Sequence, residues 1–87
     1  METRQTVLIK VTKTAIPWDG VKTRDTYFVD AVHDFTVAPS TTSISCGPNY
    51  LRELTIAREH AAKLGIPVLD QIAVTATIRR MRQEAAA

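Results

Sequence analysis

Few side chains in this sequence carry reactive chemistry. They are Cys46, the single cysteine, in the stretch "SCGPNYL"; the histidines His33 and His60; and the strand carboxylates Asp25, Asp30 and Asp34. A helix is expected just after Cys46, and a thiol at a helix N-terminus is acidified because the dipole and the unpaired N–H groups favour its thiolate. Nucleophilic catalysis also needs a base within hydrogen-bond reach and a third group that orients the base. His60 lies more than three turns along the expected helix, and at about 1.5 Å of rise per residue that puts it roughly 15–20 Å from Cys46. His33 closes an expected strand and approaches Cys46 only if the second and third strands pair. Asp30 and Asp34 both stand at odd separations from His33, on the opposite face of that strand. A Cys-His-Asp site is therefore not expected.

The residues Cys46-Gly47-Pro48 resemble the first three of the thioredoxin-family active-site motif at the start of its helix. The fourth position here is Asn49, and the residue before the motif is Ser45 where that family has an aromatic. With no resolving thiol, dithiol exchange is excluded. The reading favoured for Cys46 is a small apolar residue packed beneath the helix start.

Metal and cofactor chemistry find no pattern. Zinc sites draw close-spaced pairs of Cys, His or carboxylate ligands, whereas His33, Cys46 and His60 stand singly. The aspartates lack the spacing and glycine of a calcium loop, and they suit a solvated strand edge. Gly20, Gly47 and Gly65 are the only glycines, each placed for a turn or cap, so no loop cradles phosphate. No cofactor and no catalytic residue are expected.

The elements that must position any functional residue can be read from residue type and periodicity. Eighty-seven residues with 45% hydrophobic and 23% charged side chains make one domain, residues 1–87, with a small core. One cysteine gives no internal disulfide, and neither a long apolar span nor an apolar leader is present, so a cytoplasmic setting and no membrane are expected. Nine of the twelve threonines lie in residues 1–46, which suits strands. "TVLIKVTKTAI" alternates, placing a strand near residues 6–13; Pro17 and Asp19-Gly20 supply turn chemistry. "TYFVDAVHDF" places a second near 26–35, with apolar groups on both faces. Pro39 and Ser40 to Ser43 read as a loop, with a short third strand near 42–46.

Tyr50, Leu54, Ala57, Ala61 and Leu64 make one apolar stripe of a helix near 48–64, with Pro48 in its first turn and Gly65 as a left-handed cap. "IPVLDQIAVTATI" fits two descriptions. Period two and β-branched density favour a strand over residues 66–76, followed by a short C-terminal helix; a helix from Pro67 also lays down a stripe. The fold class is therefore α+β: an antiparallel-containing sheet packed by a helix, with a short C-terminal helix. A helix-turn-helix over "EHAAKLGIPVLDQIAVTATIRRM" is disfavoured by Pro67 and by Gln71 at an apolar position.

Two surfaces are candidates for partner binding. Trp18, Lys22 and Arg24 flank the first turn, and Trp and Arg are frequent interface anchors. Arg79, Arg80 and Arg82 form a cationic patch if helical. The net charge is only +2. Residues 1–47 carry five basic and five acidic groups, residues 48–87 six and four. The overall field is thus weak for a nucleic-acid binder. The expectation is a small non-catalytic inhibitor or adaptor acting by protein–protein interaction, masking a surface of a larger partner. Nucleic-acid binding through the arginines is the alternative, a monothiol enzyme through Cys46 comes third, and homo-oligomerisation is open.

Overall fold

The computed structural model describes residues 5–20, 22–34 and 40–86. Along the chain run β1 (Gln5–Trp18), β2 (Lys22–Asp34), β3 (Ser40–Gly47), α1 (Tyr50–Leu64), β4 (Val68–Asp70) and α2 (Gln71–Ala86). The strands form one mixed sheet in the order β3-β2-β1-β4. Pairing is antiparallel except for β4, which lies parallel to β1 over three residues, Ile9↔Val68 to Val11↔Asp70. This is the expected α+β arrangement, with a C-terminal helix.

The register decides which face of β2 is buried. Ile9 opposes Ala31 and Val11 opposes Val29, so the odd-numbered residues of both strands share a face. These four residues are buried together with Leu54, Ala57 and Ala61 of α1. Ile44, Tyr50, Ile66, Val68 and Ile72 pack around them. Leu8, Lys10, Phe28, Asp30 and Val32 lie on the face turned away from α1.

β1 runs past residue 13 and straight through Pro17 to Trp18. The reason lies in the hydrogen-bond parity. Ile9 donates its N–H to Pro67 on the β4 side, at 3.0 Å. Residues of the same parity (Val11, Lys13, Ala15 and Pro17) therefore turn their amide positions away from β2. The donor that proline lacks is one the β1–β2 ladder never uses. The turn itself falls where expected: Asp19 and Gly20 both adopt left-handed backbone, with φ of 59° and 69°. Val21 of the same stretch lies outside the described residues.

Ser40 to Ser43 belong to β3 instead of a loop; Pro39 and Phe35 lie outside the described residues. Threonine suits a pleated surface, and His33 ties this polar edge down. Its ring nitrogens bond the hydroxyls of Thr6 in β1, at 3.0 Å, and Thr42 in β3, at 2.8 Å. One side chain thus spans three strands.

α1 begins at Tyr50 and not at Pro48. Asn49 is its cap: the Oδ1 atom accepts the Arg52 N–H at 3.2 Å, satisfying one of the first-turn donors. Gly65 ends the helix in left-handed backbone at φ 66°, and Ile66 N–H reaches back to Ala61 O at 3.1 Å. Leu64, expected in the stripe, is half exposed.

The stripe contains one residue that its pattern did not announce. Glu53 is 1% exposed, the one buried charged side chain among the described residues. Ser45 Oγ donates to its Oε1 at 2.6 Å. Gly47 leaves the space for its head: a Cβ there would sit 3.2 Å from Glu53 Oε2.

Between the two helices Val68–Asp70 form a strand, and Gln71–Ala86 form a helix. The strand expected over 66–76 thus stops after three residues, and the helix is correspondingly longer. An αα-hairpin and a helix-turn-helix are both excluded by the pairing of β4 with β1. Asp70 explains the switch. Its Oδ1 accepts the N–H groups of Ile72 and Ala73, each at 3.1 Å, and so caps α2.

The Ser45–Glu53 pair makes a test of this packing. Ser45→Ala should cost about 1–3 kcal/mol by leaving a buried carboxyl without its hydroxyl donor. Adding Glu53→Leu should restore most of that loss, because both polar partners are then gone. Thermal melts of the single and double variants give the comparison; a double variant less stable than Ser45→Ala would contradict it.

Candidate binding surface

Asp70 also joins the two helices. Its Oδ2 accepts a hydrogen bond from Tyr50 Oη, while Oδ1 holds the start of α2. Tyr50 in turn meets Tyr27 of β2 ring to ring, with centroids 5.4 Å apart and planes tilted by 38°. The hydrogen bond to the Asp70 carboxylate, reinforced by burial, pushes the Tyr50 phenol up from 10.0 to about 12. This cluster fixes where α2 leaves the sheet.

From there α2 runs beside β1, and the two enclose a groove of about 470 Å³. Thr12 and Lys13 form one wall; Ile72, Thr75, Ala76 and Arg79 are on the other. Among the described residues, no carboxylate lines it. At 100° per residue Ile72, Thr75, Ala76 and Arg79 share a helix face. Val74, Ile78 and Met81 make a second stripe on the opposite face. None of the residues of α2 is buried, and Val74, Ile78 and Met81 are 39%, 44% and 61% exposed.

The helix separates the three arginines. Arg79 lies in the groove wall; Arg82, three residues on, extends the same line; Arg80 sits about 160° around the axis from Arg82. All three are exposed. They do not form one compact cationic patch.

Lys22 and Arg24 begin β2 and are exposed. Arg24 lines a hollow of about 190 Å³ with Ile16, Thr26, Gly47 and Pro48. Trp18 ends β1 opposite Lys22; its side chain lies outside what the structure describes.

Cys46 is exposed, not packed beneath α1. It pairs with Phe28 on the sheet face turned away from the helix, while its neighbours Ser45 and Gly47 face Glu53. It therefore lies off the helix N-terminus, separated from it by the Asn49 cap. β2 and β3 do pair, yet His33 opposes Ser40, and five strand residues place it roughly 16 Å along the sheet from Cys46. His33 is occupied with Thr6 and Thr42. These residues are not brought together.

The groove was missed by sequence reasoning because Lys13 read as one member of an alternating strand. Its signal was the 72/76/79 spacing, present in the sequence but competing with a strand pattern. No helix among the described residues is long and apolar enough to cross a membrane, and no group of three His, Cys, Asp or Glu among them is placed to hold a metal. No family model, curated protein or solved structure matches the chain.

Two outcomes follow. The neutral Tyr50 phenol is favoured by the fold, so its contribution is fully present below pH 10 and is lost as the pH rises through about 12. Stability measured by denaturant titration should fall between these values, and Tyr50→Phe should remove that part of the fall. Iodoacetamide should alkylate Cys46 in the native state without lowering the melting temperature; labelling only upon unfolding would contradict its position.

Proposed function

We propose that this chain is a small non-catalytic binding protein that acts by protein–protein interaction, masking or inhibiting a larger partner. The observation that supports this best is α2. Only Ile72 of this 16-residue helix packs on the core, and the stripe of Val74, Ile78 and Met81 is turned outwards and exposed. Apolar surface so arranged is matched by a protein partner's own apolar surface, not by a phosphate backbone.

The dimensions agree with a chain shaped to contact something else. Its radius of gyration is 15.5 Å, against about 12 Å for a compact chain of this length. The buried residues of the hairpin are Ile9, Val11, Val29 and Ala31, while residues 13–17 and 22–25 are exposed. The hairpin tip and α2 are both arms on a small core.

Nucleic-acid binding through Arg79, Arg80 and Arg82 is the second reading, weakened by their distribution around the helix. A thiol enzyme has the least support, since the groups that would activate Cys46 lie elsewhere.

The test is capture from extracts of the cells that make the protein. A partner retained in stoichiometric amount should be lost at least tenfold with Ile78→Asp, with circular dichroism unchanged. A partner retained equally by wild type and Ile78→Asp would remove α2's stripe from the reading. A low-salt mobility shift abolished by Arg79→Ala, Arg80→Ala and Arg82→Ala would favour nucleic acid instead.

A further inference from the structure

β4 pairs with β1 only as far as Val11, and there the chain leaves the sheet as α2. Among the described residues, β1 from Thr12 onwards has β2 on one side and no strand on the other. The amide of Lys13 and that of Ala15 face this open side, by the parity that Ile9 sets. Unpaired strand edges are templates for another strand. Here the edge also forms one wall of the groove, with the Ile72, Thr75, Ala76 and Arg79 face of α2 opposite. Pro17 closes its far end, where no donor is offered.

We propose that this groove binds an extended acidic segment of a partner protein, which continues the row of β4 and pairs with Thr12–Ile16 as an added strand. Main-chain hydrogen bonds to the β1 edge supply the pairing, and pockets beside it read alternate side chains. The chemistry of the groove selects acidic ones. Lys13 and Arg79 stand on its two walls; among the described residues no Asp or Glu lines it, and neither cationic side chain has an ion-pair or hydrogen-bond partner. Asp70, just before α2, is engaged by Tyr50 and by the start of α2, and Asp25 stands across from Ala15 on the β2 side of the edge. Ile72 and Ala76 give the α2 wall an apolar strip on which intervening side chains rest. An alternation of acidic and small apolar residues fits both sets of contacts. This inference rests on the reading of the chain as a protein-binding one, and it uses the opposite face of α2 from the apolar stripe.

The test uses a fluorescein-labelled ten-residue peptide alternating Glu and Val, followed by anisotropy with the full chain. Binding should weaken at least tenfold in Lys13→Glu/Arg79→Glu and in Ala15→Pro, and less than twofold in Arg80→Glu. Amide exchange of Lys13 and Ala15 should slow when the peptide is added. The Ala15→Pro variant removes only a donor turned from β2; should it unfold, the charge variants and the exchange measurement still decide. Equal binding of a Lys-Val peptide, or no binding of the Glu-Val peptide, would overturn the inference. So would a dimer in sedimentation equilibrium that Ala15→Pro dissociates, which would assign the edge to a second copy. An oligonucleotide bound by wild type and lost with Lys13→Glu/Arg79→Glu would overturn it in favour of nucleic acid. A captured partner kept by these groove variants but lost with Ile78→Asp would overturn the groove assignment and leave the protein-binding reading intact.

Discussion

One carboxylate sets the geometry of the whole C-terminal third. Asp70 ends a strand, caps a helix with two accepted N–H bonds, and accepts a third hydrogen bond from Tyr50 in α1. Without the cap, residues 71–78 have the β-branched density to extend β4 along β1. With it, the chain turns out of the sheet after three residues. The groove, the open edge of β1 and the outward face of α2 all follow from that single departure. Tyr50 couples it to the core through α1 and to β2 through Tyr27.

The second organising constraint is the small core. Among the described residues, seven buried apolar side chains hold sheet and α1 together, and three of the seven are alanines. Close approach of α1 to the sheet is what makes a buried Glu53 workable. Its head reaches β3 at Ser45, and Gly47 provides the space that a side chain would fill. The same stretch that holds the only thiol therefore has a structural role on one face and an exposed cysteine on the other.

Much of this was legible in the residues themselves. Alternation located β1 and β2, the apolar spacing located α1, and Gly65 and Asp19-Gly20 located a cap and a turn. What escaped was decided by groups acting across the sequence. Pro17 reads as a breaker until the side of its missing donor is known. Ser40 to Ser43 read as a loop because the bond from His33 to Thr42 is invisible in one dimension. Glu53 reads as a solvated helix residue because its spacing from Leu54 says nothing about Ser45. Residues 71–78 satisfy both periods, and only the capping role of Asp70 separates them. The arginines were legible as a cluster, but not as residues pointing in different directions.

The parallel pairing of β4 with β1 joins segments about sixty residues apart, so it carries a larger loop-closure cost than the neighbouring hairpin. The hairpin and α1 can form from local contacts; β4 must wait for both. Three ladder residues, Ile72 and the Asp70 bonds then hold α2 against the rest. That end of the sheet is consequently expected to assemble last and to open first. An added strand on the β1 edge would lengthen the row that β4 begins, and binding there would lock in place the element that folding leaves least secured.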